Sequence, residues 1–244
     1  MKKNNKDSSR KYAQILGIKL NSTREDEVLA LVESFIAQGR KFTIFTPNPE
    51  IVLLAQKDEK LKKALNSADL LIPDGIGLKY AAKFLHKIDL NIIPGRKLFL
   101  KLLALARKNN WKVFFLGGKG IKNVTAGPML NKSGEPVSER DRKIEIEIEK
   151  KINKVKPDLL FVGFGAPKQE RWIFEHLSKL NIGGAMSVGG TFAYLAGRSR
   201  LPPEWLEKAG LEWLWRLIHE PKRFSRILRA VIIFPLRVFW YKFH

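Results

Sequence analysis

Short β-rich apolar runs recur along this 244-residue chain, each closed by a polar or glycine-rich turn and followed by a segment of helical periodicity. The runs are Lys41 to Thr46, Leu70 to Ile72, Trp111 to Leu116, and residues 158–164 and 184–188. A chain that alternates strand and helix in this way buries its strands on both faces. The expected fold is therefore α/β: a mostly parallel, Rossmann-like sheet flanked by helices and joined by right-handed crossovers. Tyr12 to Leu20 alternates loosely and reads as one further strand. Ser22 and Thr23 with Glu25 and Asp26 form a capping-box start for a helix with Val28, Leu31, Val32 and Phe35 on one face. Pro49 to Leu65 reads as one helix, Leu98 to Lys108 as another, and Glu139 to Val155 as a charged, solvated helix. Residues 123–137 are loop-like.

In such a sheet, ligands bind at the carboxyl ends of the strands, and the polar clusters of this chain fall there. Thr46-Pro47-Asn48, Pro73-Asp74-Gly75, Gly117-Gly118-Lys119, Gly163 to Gln169 and Gly189-Gly190-Thr191 each follow an expected strand. Five such loops on one edge make a site. The segment FVGFGAPKQERW (161–172) condenses the pattern: a buried strand, glycines 163 and 165 for a sharp turn, and Pro167 suited to the first turn of a helix. The free N–H groups of that helix would face an anion; the plainer reading is an ordinary strand-to-helix connection. Asp74, between a buried strand and a glycine, is the best single general-base candidate, with a helix N-cap as its plainer role. Thr46 and Asn48 suit a substrate hydroxyl or amide, although Asn48 equally suits the cap of the helix near Pro49. Lys119, Lys168 and Arg171 are candidates to pair with phosphates, against the commoner fate of a solvated side chain.

Forty-five Lys and Arg against 24 Asp and Glu give a net charge of +21, which calls for an anionic partner: nucleic acid, an anionic membrane face or phosphorylated substrates. No nucleic-acid module is recognisable, so a basic nucleic-acid-binding protein is the alternative rather than the main reading. With no cysteine, disulfides and thiolate metal sites are excluded. MKKNNKDSSRKYA is basic but is not followed by the apolar segment of a secretion signal, so a cytoplasmic location is expected. GGKG lacks the Walker spacing, no GxGxxG follows the first strand, and no Asp-x-Asp pair is present to hold a metal on a diphosphate. His86, His176, His219 and His244 are scattered without ligand spacing. No metal and no cofactor is expected.

The ends differ from the body. Residues 1–11 form a basic tail, 12–200 the α/β core, and 201–244 a basic, aromatic appendage. Lys222, Arg226 and Arg229 share one helical stripe, Phe224, Ile227, Leu228, Val231 and Ile232 another, and Pro235 interrupts the pattern before Phe239, Trp240 and Tyr241. The longest apolar run there, Ala230 to Leu236, is too short to span a bilayer. A basic amphipathic helix with aromatics suits an anionic membrane surface, with Lys222, Phe224, Arg226, Arg229, Phe239 and Trp240 as its contacts. The alternative is a terminal helix docked on the core or on a second subunit, which leaves a homo-oligomer open.

The blocks TPNPEIVLLAQ (46–56), ADLLIPDGIGL (68–78), FFLGGKG (114–120), LLFVGFGAPKQERWI (159–173), SVGGTFAYLAG (187–197) and GLEWLWRLIHEPKR (210–223) resemble, in that order, the WecG/TagA/CpsF family of bacterial glycosyltransferases. The resemblance runs from about Tyr12 to Arg229. It implies an inverting, metal-independent transfer of an N-acetylmannosamine-type sugar from a UDP donor to a polyprenyl-diphosphate-linked N-acetylglucosamine at the cytoplasmic membrane face, in teichoic-acid or surface-polysaccharide assembly. By position it implies Asp74 as base, Thr46 and Asn48 as substrate contacts, and Gln169 in the donor pocket. It also implies Arg216 and Arg223 as the arginines that reach the diphosphate. The glycine loops with Gly117, Gly118, Lys119, Gly165, Lys168 and Gly190 complete the substrate-binding set. Beside Pro94-Gly95 the family carries an arginine and an acid where this chain has Ile92 and Lys97, with Arg96 a candidate stand-in for the arginine, and a further family acid is Ala193 here. A catalytically weak member serving as an assembly scaffold is the third reading.

Overall fold

A computed structural model describes residues 12–118, 123–192, 202–203, 205–206, 210–219 and 224–244, and in it the first expected strand is a hairpin. β1 (Tyr12–Ile15) and β2 (Ile18–Asn21) pair antiparallel across Leu16 and Gly17, whose φ values of 50° and 76° suit the tight turn that matches strand twist. Leu16 accepts this conformation because its side chain is buried in the core. Helix α1 (Glu25–Ala37) starts one to two residues later than the capping-box reading places it, with Arg24 as N-cap and the Arg24 N–H donating to the Glu27 carboxylate at 2.9 Å. Val28, Val32 and Phe35 are buried as expected, while Leu31 is only partly so.

The main sheet comprises β3 (Phe42–Phe45), β4 (Leu70–Leu71), β5 (Val113–Gly117), β6 (Leu159–Gly163) and β7 (Gly184–Ser187), in the order β4-β3-β7-β6-β5 with every pairing parallel. This is the α/β architecture that the alternation implies. Successive strand residues face opposite layers. Phe42, Ile44, Leu159, Phe161 and Met186 pack with α1 and α5 (Gly95–Lys108) on one side. Phe45, Leu160, Val162 and Ala185 pack on the other with α2 (Pro49–Ala55), α3 (Glu59–Asn66), α6 (Glu139–Val155), α7 (Lys168–His176) and the hairpin.

The single helix expected from Pro49 to Leu65 is broken into α2 and α3. Asp58 stands at the break: its carboxylate accepts the Leu61 N–H at 3.0 Å and pairs with Arg171 on α7. A cap that also meets a distant cation outweighs continuous helical propensity.

The C-terminal stretch is helical throughout, as Phe224–Leu228, a wider π-type turn at Arg229–Ile233, and Phe234–Phe243. Pro235 therefore does not interrupt the helix as expected. The π turn before it relieves the clash a proline ring makes with the preceding turn. Phe234 (1 % exposed) and Val238 (3 %) enter the core beside α2 and α4 (Ile76–His86), so the tail is docked as well as amphipathic. Among the described residues no helix is long and apolar enough to cross a membrane.

Candidate active site

Three loops meet at the carboxyl ends of β3 and β4, and backbone hydrogen bonds fix their spacing. The Asp74 N–H donates to Pro47 O at 2.9 Å, and the Ile93 N–H donates to Pro73 O at 3.1 Å. The first of these joins the Thr46-Pro47-Asn48 loop to the Pro73-Asp74-Gly75 turn, and the second joins that turn to the segment leading into α5. Asp74 is partly buried, and its Oδ2 accepts the Gly95 N–H at 3.1 Å, so the carboxylate sits over the first turn of α5. It caps a helix, but one that begins twenty-one residues later in the chain rather than the α4 helix beside it. A negative charge is favoured at that N-terminus, and the bond orients the carboxyl.

Thr46 completes this corner. A Cβ on residue 95 would lie 2.6 Å from Thr46 Oγ1 and 3.4 Å from Asp74 Oδ2, so hydroxyl and carboxylate converge on one point that only a glycine leaves open. Asn48 is the N-cap of α2, its Oδ1 accepting the Ile51 N–H at 3.0 Å. That is the capping role left open by the sequence, and the bond holds the carboxamide at the start of α2. Arg96 and Lys97 fall in the first turn of α5, next to Gly95.

Beside α2's cap, a carboxylate carries weight that the sequence alone did not assign. Glu50 is 5 % exposed, and its Oε2 accepts from Arg226 Nε at 2.7 Å, with Arg229 Nη1 3.7 Å from Oε1. Arg226 and Arg229, expected as membrane contacts, therefore hold the tail against the core next to the site. Phe239 (58 % exposed) and Trp240 (52 %) remain outward, as does Phe224. Phe239 stacks on Phe84 of α4, and Lys242 Nζ donates to Phe84 O at 2.8 Å.

The second cluster lies at the ends of β6 and β7. At about 4.8 Å between neighbouring strands, β7 and β6 lie roughly 10 and 14 Å from β4 along the sheet. Here the FVGFGAPKQERW segment is a clasp rather than an open anion cradle. The N–H groups of Lys168 and Gln169 donate to Gly165 O at 3.0 and 3.3 Å, and the Arg171 N–H donates to Pro167 O at 3.3 Å, so the start of α7 is satisfied internally. Gln169 is 4 % exposed; its Oε1 accepts the Gly165 N–H at 3.1 Å and the Gly189 N–H at 3.0 Å. Lys168 Nζ donates to Leu130 O at 2.6 Å, and Arg171 reaches Lys132 O and Asp58. Both cations, candidates for phosphate, here pin the loop 130–132. No local pattern marks a lysine whose acceptor is a backbone carbonyl far along the chain.

Gly117 ends β5 and Gly118 follows it; Gly117 (φ 103°) lies so close to β6 that a Cβ would meet Gly163 O at 2.7 Å. Gly190 is exposed beside Gly189. Lys119, Ala193, Lys222 and Arg223 lie outside the described residues; Arg216 is on the helix Glu212–His219, its side chain likewise outside them. Among the described residues no group of three or more His, Cys, Asp or Glu side chains is placed to hold a metal ion.

The sequence model of the glycosyl transferase WecG/TagA/CpsF family matches residues 13–244. Among curated proteins, the chain is similar to the N-acetylglucosaminyldiphosphoundecaprenol N-acetyl-beta-D-mannosaminyltransferase of Staphylococcus aureus strain MRSA252. The two are 31% identical over 231 residues, covering 92% of this chain and 91% of the relative. The protein of the same name from strain MW2 matches at the same identity and coverage.

Proposed function

This chain belongs to the WecG/TagA/CpsF family of glycosyltransferases, and from that premise we propose that it transfers an N-acetylmannosamine residue from a UDP donor to a polyprenyl-diphosphate-linked N-acetylglucosamine. The observation that carries the reading is the corner where Asp74 Oδ2, fixed by the Gly95 N–H, converges with Thr46 Oγ1. A carboxylate so held accepts the proton of the acceptor hydroxyl as that oxygen attacks the anomeric carbon of the donor. The new C–O bond forms on the face opposite the bond that breaks, so the configuration inverts and UDP departs with the bonding electrons. Asn48 and Thr46 orient the reacting hydroxyl. The charge of the departing diphosphate is met by Arg216 and Arg223, without a metal.

The glycine ends of β5, β6 and β7 supply the donor side, where Gly117, Gly118 and Gly190 let a sugar nucleotide approach the backbone. The docked tail presents Phe224, Phe239 and Trp240 outward beside Arg237 and Lys242, which suits the headgroup layer of an anionic membrane holding the lipid acceptor. The enzyme thus works as a peripheral protein at the cytoplasmic face.

The test is direct. Purified full-length protein is given UDP-N-acetylmannosamine and a short-chain lipid-diphosphate N-acetylglucosamine, with and without saturating chelator. UDP release is followed and the product's anomeric configuration is read by NMR. Transfer with inversion at an unchanged rate in chelator is the expected result. No transfer with this pair, alongside transfer from another UDP-sugar, overturns the substrate assignment. A rate lost in chelator and restored by Mg²⁺ overturns the arginine mechanism.

A further inference from the structure

The Gln169 carboxamide joins two adjacent strand ends. Its oxygen takes the N–H groups of Gly165, after β6, and Gly189, after β7, both at positive φ (80° and 53°) in turns that side chains rarely adopt. Its other end matters equally. Gln169 Nε2 donates to Glu170 Oε1 at 2.8 Å, and Glu170 is only 2 % exposed. A carboxamide turned end for end would point N–H₂ at two N–H donors and oxygen at a carboxyl oxygen. The present orientation therefore depends on what stands at both ends.

Glu170 Oε2 is enclosed, and so is Ser187 Oγ on β7, the hydroxyl that lies against that carboxyl. Among the described residues no cation forms an ion pair with Glu170, and Gln169 and Ser187, which face it, do not titrate in the ordinary range. An ionised carboxylate in this setting would be desolvated without a countercharge. Burial accordingly pushes the Glu170 carboxyl above the usual glutamate value, with hydrogen bonds from Gln169, its own backbone N–H and Ser187 opposing it only in part. As a neutral acid the group fits its surroundings: the carbonyl oxygen accepts from Gln169, and the O–H on Oε2 faces Ser187 Oγ.

We propose that Glu170 is a positioning residue for the donor-side loops: through Gln169 it holds the glycine turns after β6 and β7 in one arrangement, acting as a neutral hydrogen-bonding group rather than as a base. The donor-binding part rests on the function proposed above; the effect on the loops does not.

Glu170→Gln preserves an acceptor for Gln169 and a donor toward Ser187, whereas Glu170→Leu keeps the volume and removes both. The two variants and the parent are compared by amide exchange at Gly165 and Gly189, by KM for UDP-N-acetylmannosamine and for the short-chain lipid acceptor, and by thermal unfolding against pH. Glu170→Gln is expected to match the parent in exchange and turnover. Glu170→Leu should speed exchange at both glycines about tenfold, the loss of one hydrogen bond's worth of protection, and raise donor KM by a similar factor with acceptor KM unchanged. Because the folded state holds this proton more tightly than the unfolded state does, the parent should lose stability as pH rises upward from the ordinary value of 4.5. Glu170→Gln should lack that slope.

A Glu170→Gln variant with donor kinetics as impaired as Glu170→Leu would show that the charge is needed and overturn the proposal. Unchanged glycine exchange in Glu170→Leu would overturn it as well. If Glu170→Leu does not fold, the parent and Glu170→Gln decide: the same pH slope in both contradicts the neutral acid. Altered exchange in a protein that transfers no sugar would fault the proposed function and leave the loop clasp standing.

Discussion

Replacing Gly95 with alanine separates the geometry of the Asp74 corner from the stability of the fold. Residue 95 opens α5 at a φ that any residue adopts, so alanine introduces no backbone strain there. What it introduces is one methyl group, 2.6 Å from Thr46 Oγ1, 3.2 Å from Thr46 Cβ and 3.4 Å from Asp74 Oδ2, where ordinary contact starts at 3.4 Å. The overlap with the hydroxyl is about 0.8 Å, too large for vibration to absorb and small enough for local movement to relieve. Relief comes either from rotating Thr46 or from sliding the start of α5, which carries the N–H that fixes Asp74. Overpacking of this kind costs about 1–3 kcal/mol, offset in part by alanine's better helix propensity. A displacement near 1 Å at the reacting groups lowers turnover by about a hundredfold. Thermal unfolding and UDP release are measured on the same preparation. The expected outcome is a folded protein destabilised by no more than about 2 kcal/mol, with turnover reduced by about two orders of magnitude. Parental turnover in folded Gly95→Ala would refute the claim that this corner performs the chemistry.

The remaining expectations concern the tail. Glu50→Gln leaves Arg226 without its buried carboxylate. Loss of a charge-assisted bond should cost the docked tail about 1–3 kcal/mol, seen as faster amide exchange across 224–243 with the sheet unchanged. Equal exchange would mean that the ion pair does not hold the tail. Phe234→Ala removes a fully buried ring, a change worth about 3–5 kcal/mol in a core. The loss should appear as undocking of the last helix and faster proteolysis after Leu228, rather than as unfolding of the core; a cooperative loss of the whole fold would show the tail to be integral to it.

Much of the architecture was legible because the strands are buried on both faces and announce themselves as apolar runs ending in polar turns. The charged helix Glu139–Val155 was legible to its ends from its charge pattern, and Ser138 caps it in the structure. The hairpin was not, because Leu16 continues the apolar alternation and only Gly17 marks the turn. The break at Asp58 and the fate of Lys168 turn on partners far along the chain, Arg171 and Leu130 O, which no periodicity foreshadows. For the site, Thr46, Asn48 and Asp74 do gather at one edge as their positions after β3 and β4 imply. At the start of α7, where the sequence left an anion site and a plain strand-to-helix connection both open, Gly165 O takes two of the N–H groups, a matter of turn geometry rather than residue type.

Asp74→Asn tests, with the least disturbance to the site, whether the Asp74 carboxylate takes the acceptor proton. The asparagine oxygen still accepts the Gly95 N–H, so the corner keeps its shape while losing its base. Single-turnover transfer from UDP-N-acetylmannosamine to the short-chain lipid acceptor should slow by about a hundredfold or more, with both substrates still bound and unfolding unchanged. A folded Asp74→Asn that transfers sugar at close to the parental rate would contradict this and move the role of base to another carboxylate.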